Sequence, residues 1–349
     1  MHIAELTALA RQMQASDIHI SEGLPLAFRI HGRLEPAPVQ PSAAESRALI
    51  LGMLDDAGRE KLAQGIDSDF ALATPDGLRQ RVNVFCQQGR AAATLRLLND
   101  SIPTLAQLGL PPPVLEKLAE EPRGLILLTG PTGSGKSTTL AAMIDHINAT
   151  RPDHILTIED PIEYVYTGKQ SIIHQREVGR DVPSFAAALR SALREDPDVI
   201  LVGEMRDYET ISAAVTAAET GHLVMSTLHT IGAAQTIDRI IDVCPAGAQN
   251  QIRSQLASVL RGVITQQLLP LAAGQGRCAA TEILVGTDAV ANLIREDKCY
   301  QVGTVMQSGA AMGMHTLNGD LSRLVMTGRI TAEAALRCSP NKSDLKQFL

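Results

Sequence analysis

The residues best suited to phosphate chemistry form one continuous run, GPTGSGKS, at positions 130–137. This G-x-x-x-x-G-K-S pattern follows an aliphatic run at residues 125–128 and opens a helical pattern that continues through Ala149. In that context the backbone amides of a glycine-rich loop and the N-terminus of a helix converge on phosphate oxygens. Lys136 is expected to reach the β- and γ-phosphates, and Ser137 to bind Mg²⁺. The sequence therefore predicts a nucleoside triphosphate site.

A cluster of carboxylates follows the next aliphatic run, residues 155–158. Glu159, Asp160 and Glu163 lie within five residues, around Pro161. Because the carboxyl ends of parallel strands face the ligand in open α/β sheets, we expect this cluster near the γ-phosphate. A carboxylate there can orient and deprotonate the attacking water. Without the upstream loop, the same residues would be typical of a solvated turn.

A third aliphatic run, residues 199–202, is followed by Gly203 and Glu204. An aliphatic strand with a terminal carboxylate is typical of a Walker B element, whose acid supports Mg²⁺. Gly203 stands where many such elements carry Asp, so Glu204 is expected to act on Mg²⁺ through its water shell. An acidic residue after a strand can also cap a helix, and this alternative stays open.

Two histidines, His222 and His229, bracket a fourth strand pattern at residues 223–227. Their spacing does not place them on one side of a helix, and no acidic or cysteine cluster joins them, which argues against a metal site. A histidine at the end of a central strand can sense the γ-phosphate. A buried structural histidine fits the pattern equally well.

Three arginines, Arg81, Arg90 and Arg96, lie on or beside the last two strand patterns of the N-terminal region. Isolated arginines are usually surface residues. Phosphoryl-transfer sites built on such loops, however, commonly use an additional cation from another domain or subunit. Other arginines in the chain leave this assignment open.

The elements around these residues fall into two classes. An amphipathic opening helix is predicted to end near Ser16, and a second helical segment covers residues 43–64. Alternating apolar and polar stretches predict strands at residues 17–21, 27–31, 70–73, 79–85 and 93–97. The first hundred residues are therefore predicted to be an α+β module, and prolines between Pro103 and Arg123 place a domain boundary there.

Beyond that boundary, short uninterrupted aliphatic runs alternate with helical patterns, which is typical of a parallel sheet with crossover helices. The region from Ala233 onward is predicted to be mainly helical. Its amphipathic spacing runs through Ile252, Leu256, Val259, Leu260 and Val263. The second part of the chain is accordingly predicted to be α/β.

Length, net charge and cysteine content argue against several classes of protein. The chain has 349 residues, enough for two domains, and a formal charge of −7, the wrong sign for a protein that neutralises nucleic-acid phosphates. Its five cysteines are widely spaced, which favours reduced thiols over a disulfide or zinc framework. The N-terminus lacks the pattern of a signal peptide and no apolar run is long enough to span a bilayer, so a soluble, cytoplasmic protein is expected.

Several motifs together resemble one family. GPTGSGKSTT, ILTIEDPIEY, SALREDPDVILVGEMRD and ETGHLVMSTLHT occur in that order, and SDIHIS, RVNVF, TIDRIIDVCP and ANLIRE extend the similarity over nearly the whole chain. They resemble the type II/IV secretion ATPase superfamily, and within it the short PilT-like ATPases of type IV pilus retraction. The short length and the lack of a four-cysteine cluster favour retraction over assembly or type II secretion.

The resemblance implies an α/β chain with a PAS-like α+β N-terminal domain at residues 1–103 and a linker at 104–122. A RecA-like P-loop ATPase domain with a helical C-terminal region follows at 123–349. It also implies a homohexameric ring that binds ATP and Mg²⁺ between the domains.

The resemblance also assigns roles to residues. Glu163 becomes the general base, Glu204 the Walker B carboxylate, His229 with His222 the histidine box, and Arg81 and Arg96 the cations that approach the nucleotide. Ser137 and Glu204 become the Mg²⁺ residues, the latter through water. The implied nucleotide-binding residues are Gly130, Pro131, Thr132, Gly133, Ser134, Gly135, Lys136, Ser137 and Thr138.

The function implied is a Mg²⁺-dependent ATPase motor that powers pilus retraction and twitching motility. It would act on an inner-membrane platform protein, from the cytoplasmic side, at the pilus base. Two departures from the family pattern are Ala291, where the motif linked to retraction has Arg, and Ser226, where the histidine box more often has Gly.

Other functions stay open at this stage. One is an accessory or paralogous motor that works with another pilus ATPase or serves a secretion system. A nucleic-acid-translocating motor is a weaker alternative, because the chain is acidic and has few aromatic residues to stack on bases. A regulatory scaffold that binds nucleotide without hydrolysing it is the third.

Overall fold

The computed structural model describes residues 2–30, 32–75, 77–98, 101–274 and 276–347. Its contacts divide the chain into two compact units. The first comprises Met1–Ser101 together with Pro161–Val165, and the second comprises Ile102–Asp160 and Tyr166–Leu349. The separate linker at residues 104–122 stays a prediction.

The first unit is built on a six-stranded antiparallel sheet in the order β3-β2-β1-β6-β5-β4. Its strands are β1 (Ala15–Ser21), β2 (Ala27–Ile30), β3 (Arg33–Pro36), β4 (Ser68–Ala73), β5 (Arg79–Gln87) and β6 (Arg90–Leu97). Its helices are α1 (Ile3–Gln12), α2 (Ala43–Gly52) and α3 (Asp56–Ala63). The predicted strand at 27–31 corresponds to β2, except that His31 lies outside the described residues.

One predicted helix of this unit is two helices. The expected helix over residues 43–64 breaks at residues 53–55, where Met53 caps the end of α2 and Asp55 caps the start of α3. The Asp55 carboxylate accepts the Gly58 amide at 2.7 Å, the standard arrangement of an N-cap. Apolar spacing alone does not predict the break, because it does not register a cap inside a helical run.

Alternation along the strands gives the six-stranded sheet one apolar and one polar face. Ile18, Val82 and Leu95 point into the core of the unit and are fully buried. The residues between them point the other way, among them Arg81 and Arg96, which lie directly opposite each other on β5 and β6. Predicted site residues of the first unit therefore lie on its polar sheet face.

The second unit is built on a seven-stranded sheet in the order β13-β12-β7-β11-β10-β8-β9. All neighbouring strands are parallel except β12 and β13. The strands are β7 (Gly124–Thr129), β8 (His154–Glu159), β9 (Ile172–Glu177), β10 (Val199–Val202), β11 (Leu223–Leu228), β12 (Leu260–Pro270) and β13 (Arg277–Val285).

Helices cover this sheet. They are α4 (Pro112–Ala119), α5 (Lys136–Thr150), α6 (Phe185–Ala192), α7 (Tyr208–Glu219), α8 (Ala233–Asp242), α9 (Ala246–Val259), α10 (Asp288–Arg295), α11 (Val302–Ser308), α12 (Leu317–Met326), α13 (Ala332–Cys338) and α14 (Lys342–Leu345). In β7, Leu125 and Leu127 pack into one core cluster while Ile126 and Leu128 pack into another. This strand is thus buried on both faces, as its continuous aliphatic run predicts.

The prediction of a mainly helical region after Ala233 is wrong in one part. Helix α9 ends at Val259, and Leu260 and Val263 belong to β12, which pairs with β13. β12 also adds to the sheet beside β7, and this pairing on both sides outweighs the helical spacing of its first residues. The predicted α/β fold itself is confirmed.

The outer edge of β13 is covered by its own chain. His315 exchanges backbone hydrogen bonds with Ile283 at 2.9 and 3.1 Å, and the Asp320 carboxylate accepts the Thr281 amide at 2.8 Å. These contacts satisfy amides that a bare edge strand would present for pairing with another chain. Among the described residues, no helix is long and apolar enough to cross a membrane.

Candidate nucleotide-binding site

Three predicted site segments meet at one edge of the seven-stranded sheet. The glycine-rich loop follows β7, Glu204 follows β10 and His229 follows β11, which lies between the other two strands. Because the three strands are parallel, their carboxyl ends lie side by side, with Leu228 paired to Thr129 and Ser226 to Val202. This is the edge at which open α/β sheets bind ligands.

Glycines let the loop curl closely against β12. Gly130 has φ +137°, and a Cβ there would lie 2.2 Å from the Gln266 carbonyl oxygen. Gly135 has φ +90°, and its Cβ would lie 2.8 Å from Gln266 Nε2. Only glycine fits both requirements, so these positions explain the spacing of the motif in terms of space and backbone angle.

Two side chains of the loop are buried within it. Lys136 is 8% exposed, and its Nζ donates to the carbonyls of Gly130 and Pro131 at 2.8 and 3.0 Å. Ser134 is 2% exposed, and its hydroxyl has no hydrogen-bond partner among the described residues. A cation and an unpaired hydroxyl donor inside a curl of glycines suit the oxygens of a phosphate group.

Residues of β12 also belong to this site, although the sequence analysis did not identify them. Gln266 hydrogen-bonds both Ser134 and Thr139, and Thr265 hydrogen-bonds Thr129 at 2.8 Å through their hydroxyls. The apolar spacing predicts helix at residues 260–263. It therefore does not place Thr265 and Gln266 on a strand beside β7. The only sequence signal is the pair of glutamines, Gln266 and Gln267, beside aliphatic residues.

Glu204 lies at the carboxyl edge beside Arg206 and His229. Its carboxylate is 2.8 Å from Arg206 Nε and 3.6 Å from His229 Nε2. A Cβ on Gly203 would lie 3.3 Å from the Ile158 carbonyl oxygen, so there is little room for a side chain at the position where many such elements carry Asp. The Thr227 hydroxyl donates to the Gly203 carbonyl at 2.7 Å and fixes this turn.

The two histidines are at opposite ends of β11. His229 reaches Glu204, whereas His222 precedes the strand, with its Nδ1 2.9 Å from the Ala217 carbonyl of α7. The strand has six residues, so about 20 Å of backbone separates the two ends at roughly 3.3 Å per residue. The structure brings His229 to the candidate site and does not bring His222 there.

The acidic segment is divided. Glu159 ends β8, is 9% exposed and accepts hydrogen bonds from Thr157 at 2.6 Å and Gln175 at 3.2 Å. Glu163 is half-buried within Pro161–Val165, a segment whose contacts group with the first unit. Its role as general base stays a prediction.

Arg81 and Arg96 belong to the first unit, where each is paired with a carboxylate. Arg81 donates to both oxygens of Asp69, at 3.2 and 2.6 Å, and Arg96 Nε donates to Asp17 at 3.1 Å. Like charges directly opposite on adjacent strands repel, so these carboxylates stabilise the pair of guanidinium groups. Arg96 is the more exposed, with 66% of its side-chain surface accessible.

The metal prediction rests on Ser137 and Glu204. Ser137 is exposed at the start of α5, the position that the loop motif gives to the Mg²⁺ ligand. Within the described ranges, no three His, Cys, Asp or Glu side chains form a group that could hold a metal by themselves. Mg²⁺ commonly takes few protein ligands and completes its shell with water and phosphate oxygens, so one hydroxyl and one carboxylate at the same sheet edge are compatible with binding it.

A family model described as type II/IV secretion system protein matches residues 2–344. The type IV pilus retraction ATPase PilT of Pseudomonas aeruginosa is 49% identical over 336 residues, covering 96% of this chain and 97% of that protein. The twitching motility protein of Neisseria gonorrhoeae is 50% identical over 319 residues, covering 91% and 85%.

A solved structure is similar at the same level. The crystal structure of the pilus retraction motor PilT with bound ADP matches with a TM-score of 0.92 and 48% identity, covering 99% of both chains. That protein binds an adenine nucleotide on a fold shared along the whole length of this chain.

Proposed function

The chain belongs to the type II/IV secretion system protein family and is an ATP-hydrolysing enzyme, and we propose that it is a motor that retracts a type IV pilus. The family resemblance predicted from the motifs is thereby confirmed. The observation that carries the retraction proposal is the full-length match: a retraction ATPase aligns with this chain over 97% of its own length at 49% identity.

We infer that ATP is bound by residues 130–138. The glycines admit the phosphates, Lys136 exchanges its contacts to the loop carbonyls for phosphate oxygens, and the buried Ser134 hydroxyl gains an acceptor. Mg²⁺ would be held by Ser137 and, through water, by Glu204. When bound, the ion neutralises charge on the transferred phosphoryl group.

The remaining residues are proposed to act on the attacking water and the developing charge. Glu163 is the proposed general base, and Arg81 and Arg96 are the proposed additional cations. His229 is proposed to respond to the γ-phosphate, and its approach to Glu204 at the same edge supports this role. His222 would affect hydrolysis only through the start of β11.

The assembly proposed is a homohexameric ring, with a platform protein of the inner membrane as its partner. The chain would act from the cytoplasmic side, at the base of the fibre. In this arrangement hydrolysis drives motion of the platform protein, and pilin subunits leave the fibre and return to the membrane.

The segment linked to retraction forms α10. Val290 and Ile294 are buried, whereas Asn292 and Arg295 are exposed and joined by a hydrogen bond of 3.0 Å. Ala291, which replaces an arginine of the family motif, lies half-buried against the core. The departure removes a charge beside the exposed face of α10 and leaves the phosphate loop unchanged, so we propose that hydrolysis is retained.

The end of this segment is fixed by an ion pair. Lys298 Nζ donates to the Glu296 carboxylate at 2.7 Å, and this hydrogen bond lowers the pKa of the Glu296 carboxyl. An exposed carboxyl of this kind is ionised at neutral pH with or without the ion pair. The surface proposed to take part in coupling keeps both charges.

The experiment is a count of surface pili in a deletion strain, complemented with the wild-type gene or with Lys136→Ala. A retraction motor predicts excess pili that only the wild type returns to normal. Cells without pili would assign the protein to assembly or secretion. Unchanged pilus numbers would point to an accessory motor or to another fibre.

A further inference from the structure

We propose that Gln266 is a positioning residue for the nucleotide site, and that its side-chain amide holds the phosphate loop in its phosphate-binding shape. This inference rests on the nucleotide binding proposed above. Gln266 lies within β12 and is only 3% exposed. A buried amide group must find hydrogen-bond partners, so the residues that it contacts are fixed in place together with it.

Both ends of the Gln266 amide are used on the loop and its helix. Nε2 donates to the Ser134 carbonyl at 2.8 Å, and Oε1 accepts the Thr139 hydroxyl at 2.8 Å. Thr139 is itself fully buried in α5. One side chain thus joins the end of the loop to the first turns of the helix that follows it.

The direction of the first hydrogen bond matters for phosphate binding. The carbonyl of Ser134 and the amide N–H of Gly135 belong to one planar trans peptide, in which they point in opposite directions. Because Gln266 holds the carbonyl towards β12, the Gly135 N–H is turned away from β12. Amides turned in this way are the groups with which such loops bind phosphate oxygens.

The backbone of Gln266 limits the other end of the loop. Its carbonyl oxygen lies only 2.2 Å from the position that a Cβ on Gly130 would take. Gln266 therefore leaves no room for a side chain at either Gly130 or Gly135. Neighbouring Thr265 adds its hydrogen bond to Thr129, which keeps β12 in register beside β7.

The test is nucleotide affinity in Gln266→Leu, which removes both hydrogen bonds with little change in volume. Loss of two neutral hydrogen bonds predicts a dissociation constant about tenfold higher, measured by titration with a fluorescent ADP analogue. The matched control is Gln267→Leu, the same change one residue further along β12. The Gln267 side chain contacts Cys338 instead of the loop, so its affinity should equal that of the wild type.

A second pair of variants separates positioning from stability. Thr139→Val should weaken nucleotide binding in the same direction, whereas Thr139→Ser keeps the hydroxyl and should restore it. Combined with Gln266→Leu, Thr139→Val should add less than its separate effect, because both remove one hydrogen bond. Thermal unfolding without nucleotide checks that each variant is folded at the temperature of the titration.

Wild-type affinity in folded Gln266→Leu would overturn the proposal. If the melting temperature were lower at the same time, Gln266 would have a purely structural role. Failure of the wild type to bind the ADP analogue would instead contradict the proposed function, so the two failures are distinguishable.

Discussion

The carboxyl edge of the seven-stranded sheet and the polar face of the six-stranded sheet hold their candidate residues in different ways. At the carboxyl edge, Lys136 and Gln266 are buried and bonded to backbone carbonyls or a hydroxyl. On the polar face, the side chains of Arg81 and Arg96 are 40% and 66% accessible and are paired with aspartates. The first arrangement fixes the shape of the phosphate loop. The second leaves two guanidinium groups that can exchange one anionic partner for another.

The difference follows from the two kinds of sheet. Strands of the parallel sheet are buried on both faces, so polar groups are found mainly where the strands end. An antiparallel sheet with one solvated face can carry charges along its strands. Because an exposed ion pair contributes only about 0 to 1 kcal/mol, an arginine on that face can exchange a carboxylate for a phosphate at little cost.

The largest expected effect on hydrolysis comes from a substitution at the carboxyl edge of the seven-stranded sheet. Lys136→Ala removes the buried cation and should lower the rate of ATP hydrolysis about 10³-fold, measured as phosphate release. Lys117→Ala, on the exposed surface of α4, is the matched control and should hydrolyse ATP at the wild-type rate. Wild-type hydrolysis by Lys136→Ala would contradict the assignment of the site.

On the polar face of the six-stranded sheet, we expect a variant to lose hydrolysis while it keeps nucleotide binding. Arg96→Ala should lower kcat about 10²-fold while nucleotide affinity stays within about twofold, because the cation is proposed to act on developing charge. Arg33→Ala, at an exposed position on β3 of the same sheet, is the control for loss of one positive charge and should leave kcat unchanged. An equal loss of hydrolysis and binding in Arg96→Ala would indicate a structural role.

A third prediction concerns the close fit of the loop to β12. Gly130→Ala should lower the free energy of unfolding by about 2 kcal/mol more than Gly133→Ala, measured by denaturant titration. Both glycines have positive φ, at +137° and +78°, but only a Cβ on Gly130 meets another atom within 4 Å. Equal losses would mean that the loop can move away from the strand.

The smallest effect distinguishes the two ends of β11. His229→Asn should lower the rate of hydrolysis about tenfold, because His229 is the histidine beside Glu204. His222→Asn should leave it nearly unchanged, because His222 lies at the other end of the strand. Steady-state kinetics of the two variants gives the comparison, and equal effects would show that the start of β11 also governs the site.

The parallel strands and the loop are predictable from the sequence because both have strong local signals. The aliphatic runs of β7, β8, β10 and β11 are too short for helices and lack alternation, so burial on both faces is the natural interpretation. The glycine spacing of the loop reflects backbone angles that few other sequences need. These local signals are sufficient to place Lys136 and Glu204 at the carboxyl edge of the sheet.

Contacts between distant elements are not predictable in this way. Leu260 and Val263 continue the apolar spacing of α9, and the single Gly262 between them does not end that pattern, so the sequence predicts helix where β12 forms and gives Gln266 no role. The different positions of His222 and His229 depend on which end of a strand carries the ligand, which the spacing of two histidines does not specify. Ser226 is similar: its hydroxyl is buried without a partner among the described residues, and no local pattern indicates this.

The pairing of β7 with β12 also has a consequence for how the protein is made. Thr129 and Thr265, which join the two strands, are 136 residues apart in the sequence. The other neighbour of β7 is β11, which is also distant from it in the sequence. Contacts of such sequence separation form slowly, since a long loop must close first. During synthesis the phosphate loop therefore leaves the ribosome long before the strand that shapes it. A nascent chain is expected to gain the ability to bind nucleotide only once β12 has emerged and paired with β7, well after the phosphate loop itself has been made.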